Sequence, residues 1–459
     1  MKKKVCIIGA GIGGLTAGAL LLKKGYSVDI FEKEQTVGGR AMSLEMSSQT
    51  LESYKQTLAK FNTAIVFSEP PLEEIFKNKM FEGYTLDLGF HMIGSGIVVK
   101  LRDILKEYFE NITMYKSRLY EQKNNHFGYF ATTADKIAML PNIARLLFSG
   151  EKTMKDLDTV SMTKTIKKYG KGKMKIVLEV NSRLISTINN LDLISTGEVF
   201  RTQKDMRLGG VNYPQHGLLK ISQTIADYIE KNGGKIHLNS PVSKIIINNK
   251  KAEGVVADKE YMFDIVLSNI LVQNLFTIAD EHQFPKEYVT TLKDLEGTGS
   301  LCAYYSLKQI DPRLVGKSFI FIERDIGVDG NDAVGMIDFI SAKQETGLSP
   351  PSHYLVQSYI ICTPKEARDK KNLNKLKEAL DKNLERIIPQ YHSQLCWAIY
   401  PTVWHLDGVA KTLVNTKPNI QTPVENLYII GDCVKAPGIG INCAINSARI
   451  IQEMLSTSA

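Results

Sequence analysis

Residues 5–22 read VCIIGAGIGGLTAGALLL, eighteen positions without a charge, directly behind Met-Lys-Lys-Lys. A basic start before an apolar run fits a secretory signal, and a bilayer span needs about 20 apolar residues, so two readings compete with that of a folded element. Five glycines, Gly9, Gly11, Gly13, Gly14 and Gly18, fall within ten positions. Glycine loses the most backbone freedom on ordering and sustains a helix poorly, which argues against both.

The glycine spacing supplies a third reading. Val5-Cys6-Ile7-Ile8 suits a strand buried on both faces, Leu15 to Lys24 a helix ending at Gly25, and Ser27-Val28-Asp29-Ile30-Phe31 a second strand. Between strand and helix, Gly9, Gly11 and Gly14 have the G-x-G-x-x-G spacing, with Ala10, Ile12 and Gly13 between them. In that pattern the first glycine permits a tight turn, the second lets backbone approach a pyrophosphate, and the third lets helix and strand pack closely. The helix N-terminus then offers free N–H groups and a positive dipole end to the phosphates. Glu32, followed by Lys33, ends the second strand, where a carboxylate accepts hydrogen bonds from an adenosine ribose and repels a 2′-phosphate. These features predict a dinucleotide-binding βαβ unit with NADP disfavoured; they leave NAD and FAD open.

At 459 residues the chain is long enough for two or three domains and a large core. A net charge of +8, spread along the chain, falls short of a nucleic-acid footprint. One local excess stands out: residues 151–175 carry eight lysines against three acids, close behind the apolar IAMLPNIARLLF of 137–148. A solvated helix face is the plain reading and contact with an anionic membrane surface the sharper one. Six cysteines lie far apart, without a C-x-x-C pair or a histidine cluster, so no metal is expected. Reduced thiols in a cytoplasmic protein, at most peripheral on the inner face of the membrane, are the simplest account.

Two further blocks favour FAD. After Glu32 comes KEQTVGGRA, in which Gly38-Gly39 lets backbone run against a crowded ligand and the Arg40 guanidinium, ahead of Ala41, matches a diphosphate. Near the other end, NLYIIGDCVKAPGIGINCAINSARIIQEML reads as a strand (427–430), the Gly431-Asp432 turn, a loop with Gly438 and Gly440, and a helix over 442–455. There Asp432 can hold ribityl hydroxyls, and the helix N-terminus at Ile441-Asn442 can stabilise charge on a reduced flavin.

Taken in order, GAGIGG with Glu32, VGGRA, GYTLDLGFHMIGSG at 83–96 and YIIGD with its glycine loop resemble the FAD-dependent amine oxidase and phytoene desaturase superfamily. The segment from YPQHGLL to VLSNI, ending near Ser268-Asn269, is similar to that family's middle segment. The resemblance implies non-covalent FAD on Gly9, Gly11, Gly14, Glu32, Gly39, Arg40, Val242 and Asp432, with Gly89, Phe90, His91 and Met92 near the isoalloxazine. It also implies an α/β fold: a Rossmann-like FAD domain assembled from 1–95, 212–285 and 420–459, interleaved with an α+β substrate domain from 96–211 and 286–419. Two departures stand out. Residues 43–82 form an insertion whose apolar spacing (Leu51, Tyr54, Leu58, Phe61) predicts an amphipathic helix; structural embellishment is its expected role, with cover for the active-site mouth or contact with a partner as alternatives. His216 stands where relatives often have a second glycine, and a surface or core-satisfied histidine is expected.

A flavin takes hydride at N5 while the protein holds a substrate C–H over it. By alignment of the last loop, amine oxidases place an aromatic ring where this chain has Gly440, so the resemblance points to the desaturase branch and the related retinol saturases, acting on a hydrophobic, isoprenoid-like substrate. His91 and His405 are candidate proton donors or acceptors, since imidazole titrates near neutrality, and Trp404 is weighed equally between pocket lining and core packing. No second G-x-G-x-x-G opens a separate NAD domain, so reoxidation falls to oxygen, a quinone or another protein. The alternatives are an amine or protoporphyrinogen oxidase and, from another class, a prenyl or lipid carrier like the GDP dissociation inhibitors. An aromatic hydroxylase ranks low, because GDCVKAPGIG lacks the histidine expected soon after its Gly-Asp.

Overall fold

The computed structural model describes residues 2–89, 93–109, 112–117, 119–123, 126–129, 132–147, 150–206 and 211–457. The apolar opening run forms a buried strand and a buried helix. Strand Lys4–Ile8 is the middle member of a five-stranded parallel sheet in the order Lys235–His237, Ser27–Phe31, Lys4–Ile8, Ile265–Ser268, Leu427–Ile429. Val5, Cys6 and Ile7 are fully buried, as the centre of a sheet covered on both faces requires. Helix Ile12–Lys23 packs against helices Gly440–Thr457 and Leu219–Lys231 as well as the sheet. It is therefore apolar nearly all round without being a membrane span. Among the described residues no helix is long and apolar enough to cross a bilayer.

Parallel pairing brings distant segments together. Ile8 faces Phe31 on one side and Ser268 on the other, and Ser268 in turn faces Ile429. The N-terminal glycine turn and the C-terminal Gly431-Asp432 turn thus emerge at the same edge of the sheet, at the carboxyl ends of strands separated only by Ile265–Ser268, where α/β sheets bind ligands.

The second sheet has eight strands in the order Thr63–Glu69, Leu395–Val403, Gly299–Leu307, Tyr354–Cys362, Ala333–Asp338, Ser318–Glu323, Leu119–Lys123, His126–Tyr129. It is antiparallel except where Ser318–Glu323 meets Leu119–Lys123. Helix Lys370–Ile387 covers one face with Leu373, Leu376, Leu380 and Leu384, a helical-period stripe capped at its start by Asp369. A small helical layer, including Met162–Tyr169, Lys173–Ser186 and Thr196–Met206, has its own core of Met162, Met174, Ile194 and Phe200.

Residues 43–82 behave differently from a self-contained insertion in the nucleotide-side segment. The expected amphipathic helix is present as Leu51–Lys60, started by a Thr50–Ser53 capping box and burying Tyr54 and Leu58. The chain then turns at Asn62, in the left-handed region at φ +55°, and strand Thr63–Glu69 joins the edge of the eight-stranded sheet against Leu395–Val403. His216 is an exposed histidine at φ +64°, a conformation glycine adopts more readily, which accounts for its place at a glycine position.

Candidate functional site

A cavity opens at the carboxyl ends of the parallel strands. It is lined by Gly9, Gly11, Ile12 and Gly13 of the first turn, Glu32 and Lys33, Gly38 to Ala41, Val242, Asn269, Gly431, Asp432, Gly440 and Ile441. The glycines are needed where they stand. A Cβ on Gly14 would come within 2.2 Å of the Gly9 carbonyl oxygen, and one on Gly13 within 2.6 Å of the Asn269 amide oxygen and 3.1 Å of the Gly431 Cα. These approaches press the opening helix against its own turn and against the C-terminal turn. Asn269 locks the junction: its backbone N–H donates to Ile8 at 2.8 Å and its side chain to the Gly9 carbonyl at 3.2 Å. Gly11, the N-cap of the opening helix, supplies no side-chain cap, so the first-turn N–H groups stay available to an anion.

Glu32 marks one end of the cavity. The Ala10 N–H donates to Oε2 at 2.7 Å and the Glu34 N–H to Oε1 at 3.0 Å. Burial nevertheless raises its pKa above the ordinary value, an effect that these two bonds oppose without cancelling and that the charge of Glu34 reinforces. Each oxygen keeps a lone pair for a further donor.

Asp432 marks the other end. Its Oδ1 accepts from the Arg40 guanidinium at 2.5 Å and its Oδ2 from the Gly408 N–H at 2.7 Å, while Arg40 also donates to the His405 carbonyl at 3.0 Å. Burial works against the Asp432 charge, but the Arg40 charge and hydrogen bond outweigh it and hold the carboxyl well below the usual range. Behind this turn lies a pair that sequence reasoning missed. Lys417, with a fully buried side chain, donates to Asp407 at 3.0 Å and to the Asp432 carbonyl at 2.5 Å, and Asp407 accepts from the Gly440 N–H at 3.2 Å. Burial pushes the Asp407 carboxyl up to about 6, with Lys417 opposing; the Lys417 ammonium is held charged because Asp407 outweighs its own desolvation. Asp407 and Lys417 belong to no glycine motif, and nothing in their local sequence marks them as a buried pair.

The remaining expectations divide. Ala10 contributes through its bond to Glu32, and Gly14 through packing, from behind the lining. Ser268 is buried in its strand, one residue before Asn269. Asn442 is buried and accepts from Lys100 at 3.0 Å; Lys100 also reaches Asn446, which ties helix Ser95–Ile104 to the first turns of the closing helix. Gly89 is held by its carbonyl, which accepts from the Tyr304 hydroxyl at 3.0 Å. Phe90, His91 and Met92 lie outside the described residues. For Trp404 the pocket-lining alternative gives way to packing: its indole N–H donates to the Ala367 carbonyl at 3.1 Å and the Arg368 guanidinium sits 4.8 Å from its ring centre. The expectation that His405 titrates near neutrality is also corrected. Burial, with the nearby Arg40 and Arg368 charges, pushes its imidazole down to about 4, so it is neutral at pH 7 and cannot donate as imidazolium there.

Among the described residues none of the acids, histidines and cysteines gather into a metal site, and all six cysteines are free thiols. The arrangement therefore offers an elongated, glycine-floored cleft with a helix N-terminus for an anion, a hydrogen-bond acceptor at one end and a charge-paired acid at the other.

Comparison with known proteins agrees with this geometry. Residues 7–69 match the model of NAD(P)-binding Rossmann-like domains, and residues 182–451 match that of flavin containing amine oxidoreductases. The chain is 25% identical to a 1-hydroxycarotenoid 3,4-desaturase of Flavobacterium sp. (strain P99-3), an alignment covering 99% of each chain. It is 26% identical to a 4,4'-diapophytoene desaturase (4,4'-diapolycopene-forming) of Methylomonas sp, over 55% of this chain and 50% of that one. An oxidoreductase structure from Methanosarcina mazei shares the fold at a TM-score of 0.69 and 22% identity, covering 98% of this chain and 100% of the other. A family match spanning more than half of the sequence, on a chain whose two ends meet at one glycine-lined cavity, makes this protein a member of the flavin containing amine oxidoreductase family and a flavin-dependent oxidoreductase.

Proposed function

We propose that the protein holds FAD non-covalently along this cavity and uses it to desaturate or saturate a C–C bond in a hydrophobic, isoprenoid-like substrate. The adenosine ribose lies at Glu32 and Lys33 beside Val242, the diphosphate over Gly9 to Gly14 and Gly38 to Ala41, and the flavin near Asp432, Gly440 and Ile441. Strands and helices of 1–95, 212–285 and 420–459 make the nucleotide domain, except that 63–69 serves the substrate sheet. The fit of the residues supports this: Gly440 lines the cavity at φ +48°, and beyond its own chain neighbours and helix backbone no atom of the described residues comes within 4 Å of where a Cβ would stand, which leaves room for a flat ring system.

Two things support the substrate class: Gly440 stands where amine oxidases place a ring, and two similar proteins bear the names 1-hydroxycarotenoid 3,4-desaturase and 4,4'-diapophytoene desaturase. When bound, the flavin supplies the hydride acceptor or donor. The chain's part is to orient it through Asp432 and the closing-helix N-terminus and to exclude water. His405 is neutral at pH 7, and the burial and Arg40 charge that keep it so also make it a weak proton acceptor. In the desaturating direction oxygen, a quinone or another protein takes up the electrons; in the saturating direction a reduced protein or quinol supplies them.

The test is to purify the protein, release and identify its flavin, and incubate it with phytoene-like and carotenoid substrates in lipid vesicles with a quinone. A mass change of two hydrogens supports the reading. Rapid peroxide formation from amines with no action on polyenes would replace it with an amine oxidase, and a colourless protein that refuses added FAD would favour a lipid carrier.

A substrate of this kind resides in lipid, and we propose that the protein docks on an anionic membrane surface to reach it. Ile137 and Leu140 on helix Thr133–Leu147 are 67% and 60% exposed, and Ile176 on the neighbouring helix Lys173–Ser186 is 40% exposed. The two helices are joined by the Lys173–Asp135 ion pair at 2.8 Å. Lys164, Lys167, Lys168 and Lys171 are exposed on the same small helical layer, which combines apolar and cationic surface as an anionic interface demands.

A further inference from the structure

The insertion contributes to the cavity through one turn. Lys60, Phe61 and Asn62, which join helix Leu51–Lys60 to strand Thr63–Glu69, all line it. Their position is set from both sides. Lys60 Nζ donates to the Glu34 carboxylate at 2.7 Å, and the Glu34 N–H bonds the Glu32 carboxylate, so the turn is latched to the Glu32 end. Asn62 accepts from the Trp404 N–H at 3.0 Å, and Thr63 pairs with Val403, so the other side of the turn is fixed to the eight-stranded sheet just before the 405–407 segment that meets Arg40 and Gly440. Beneath it, Tyr54 and Leu58 anchor the helix, with Tyr54 packed against Phe76 and Phe81.

We propose that the Lys60-Phe61-Asn62 turn is a clamp on the adenosine half of the dinucleotide. The half-buried Phe61 ring supplies an apolar wall to the same cavity that Val242 and Ile278 line, and Lys60 holds that wall in place through Glu34. The proposal rests on the FAD reading above and gives the insertion a binding role in place of embellishment. It assigns the adenosine diphosphate moiety, and not the flavin ring, as the group in contact, because every polar tie of Lys60 runs to the Glu32–Glu34 corner.

The test uses the full-length protein freed of flavin, with FAD binding followed by flavin fluorescence and ADP used as competitor. Lys60→Glu sets two carboxylates against each other at an exposed position, and Phe61→Ala removes the wall; Lys55→Glu, on the same helix and paired with Glu73, is the control. FAD affinity falls about tenfold or more in Lys60→Glu and Phe61→Ala, with ADP affinity falling in parallel, while Lys55→Glu matches the parent. Melting temperature without flavin separates these losses from misfolding, and Phe61→Leu recovers most of the affinity. Unchanged FAD affinity in a folded Lys60→Glu protein overturns the clamp, as does a loss for FAD that ADP does not share. A parent protein that takes up no FAD at all fails earlier, at the functional reading itself.

Discussion

Glu32 and Asp432 are two acids at the carboxyl ends of parallel strands, both buried, at opposite ends of one cavity, and their surroundings push them in opposite directions. Asp432 has a guanidinium at 2.5 Å and a backbone N–H at 2.7 Å, and lies beside the Lys417 ammonium that its own carbonyl accepts; its charge is compensated by the protein. Glu32 has two backbone N–H donors and, among the described residues, no cation within bonding distance, and burial leaves its pKa raised. A buried carboxylate that remains under-compensated gains from an added donor, whereas one already paired gains little. The pair thus separates recognition from architecture: Glu32 keeps acceptor capacity for an added donor, while Asp432 and its cations hold the C-terminal loop that the proposed reading sets against the ring system.

The comparison breaks first at the compensating cations. Lys417→Met leaves Asp407 buried and unpaired, and loss of one member of such a pair costs about 3–5 kcal/mol. A large drop in chemical-denaturation stability is expected, and a variant as stable as the parent would show that the Asp432 end is not held by charge. Next, Glu32→Ala removes acceptors for ribose hydroxyls. Losing one hydrogen bond to a charged group is worth about 1.5–3 kcal/mol, so FAD affinity should weaken roughly 10- to 100-fold by fluorescence titration, with little change in melting temperature of the flavin-free protein.

A smaller effect is expected from pH. Asp338, buried beside the Ser318 hydroxyl and the Ile340 N–H, is raised by burial from the ordinary 3.8 to about 7. A carboxyl whose folded pKa is raised binds its proton more tightly in the folded state, so the stability it contributes is complete below about 4 and is lost as pH rises through about 7. Asp338→Asn should flatten the fall in melting temperature across that window; an unaltered slope would locate the pH response elsewhere. Smallest is the surface term. Ile137→Glu with Leu140→Glu should abolish sedimentation with phosphatidylglycerol vesicles at low salt while leaving flavin content unchanged, and persistent binding would remove this face from the proposal.

Much of the nucleotide side was legible because glycine, strand and acid spacing report backbone requirements directly. The elements Ser27–Phe31, Leu51–Lys60 and Gly440–Thr457 follow the patterning to within a few residues, since burial on one face or two imposes a period on the sequence. The Asp407–Lys417 pair was not legible. A buried charge looks in sequence like any surface charge, and only the packing of 405–417 behind the Gly431 turn removes water from it. For Trp404 and His405 the sequence left alternatives open for the related reason that proximity along the chain does not set side-chain direction: the Trp404 ring lies over Arg368, and His405 gives its carbonyl to the Arg40 corner while its imidazole stays neutral.

By itself the sequence determined two glycine-rich turns, each followed by or paired with an acid, that suit an anionic ligand, because such turns restrict which backbone can pass and what can approach it. Only the tertiary structure decided which charges are compensated, and it drew the 60–62 turn of the inserted segment into the cavity wall. Those outcomes depend on dielectric surroundings and on contacts between segments hundreds of residues apart, neither of which leaves a local pattern.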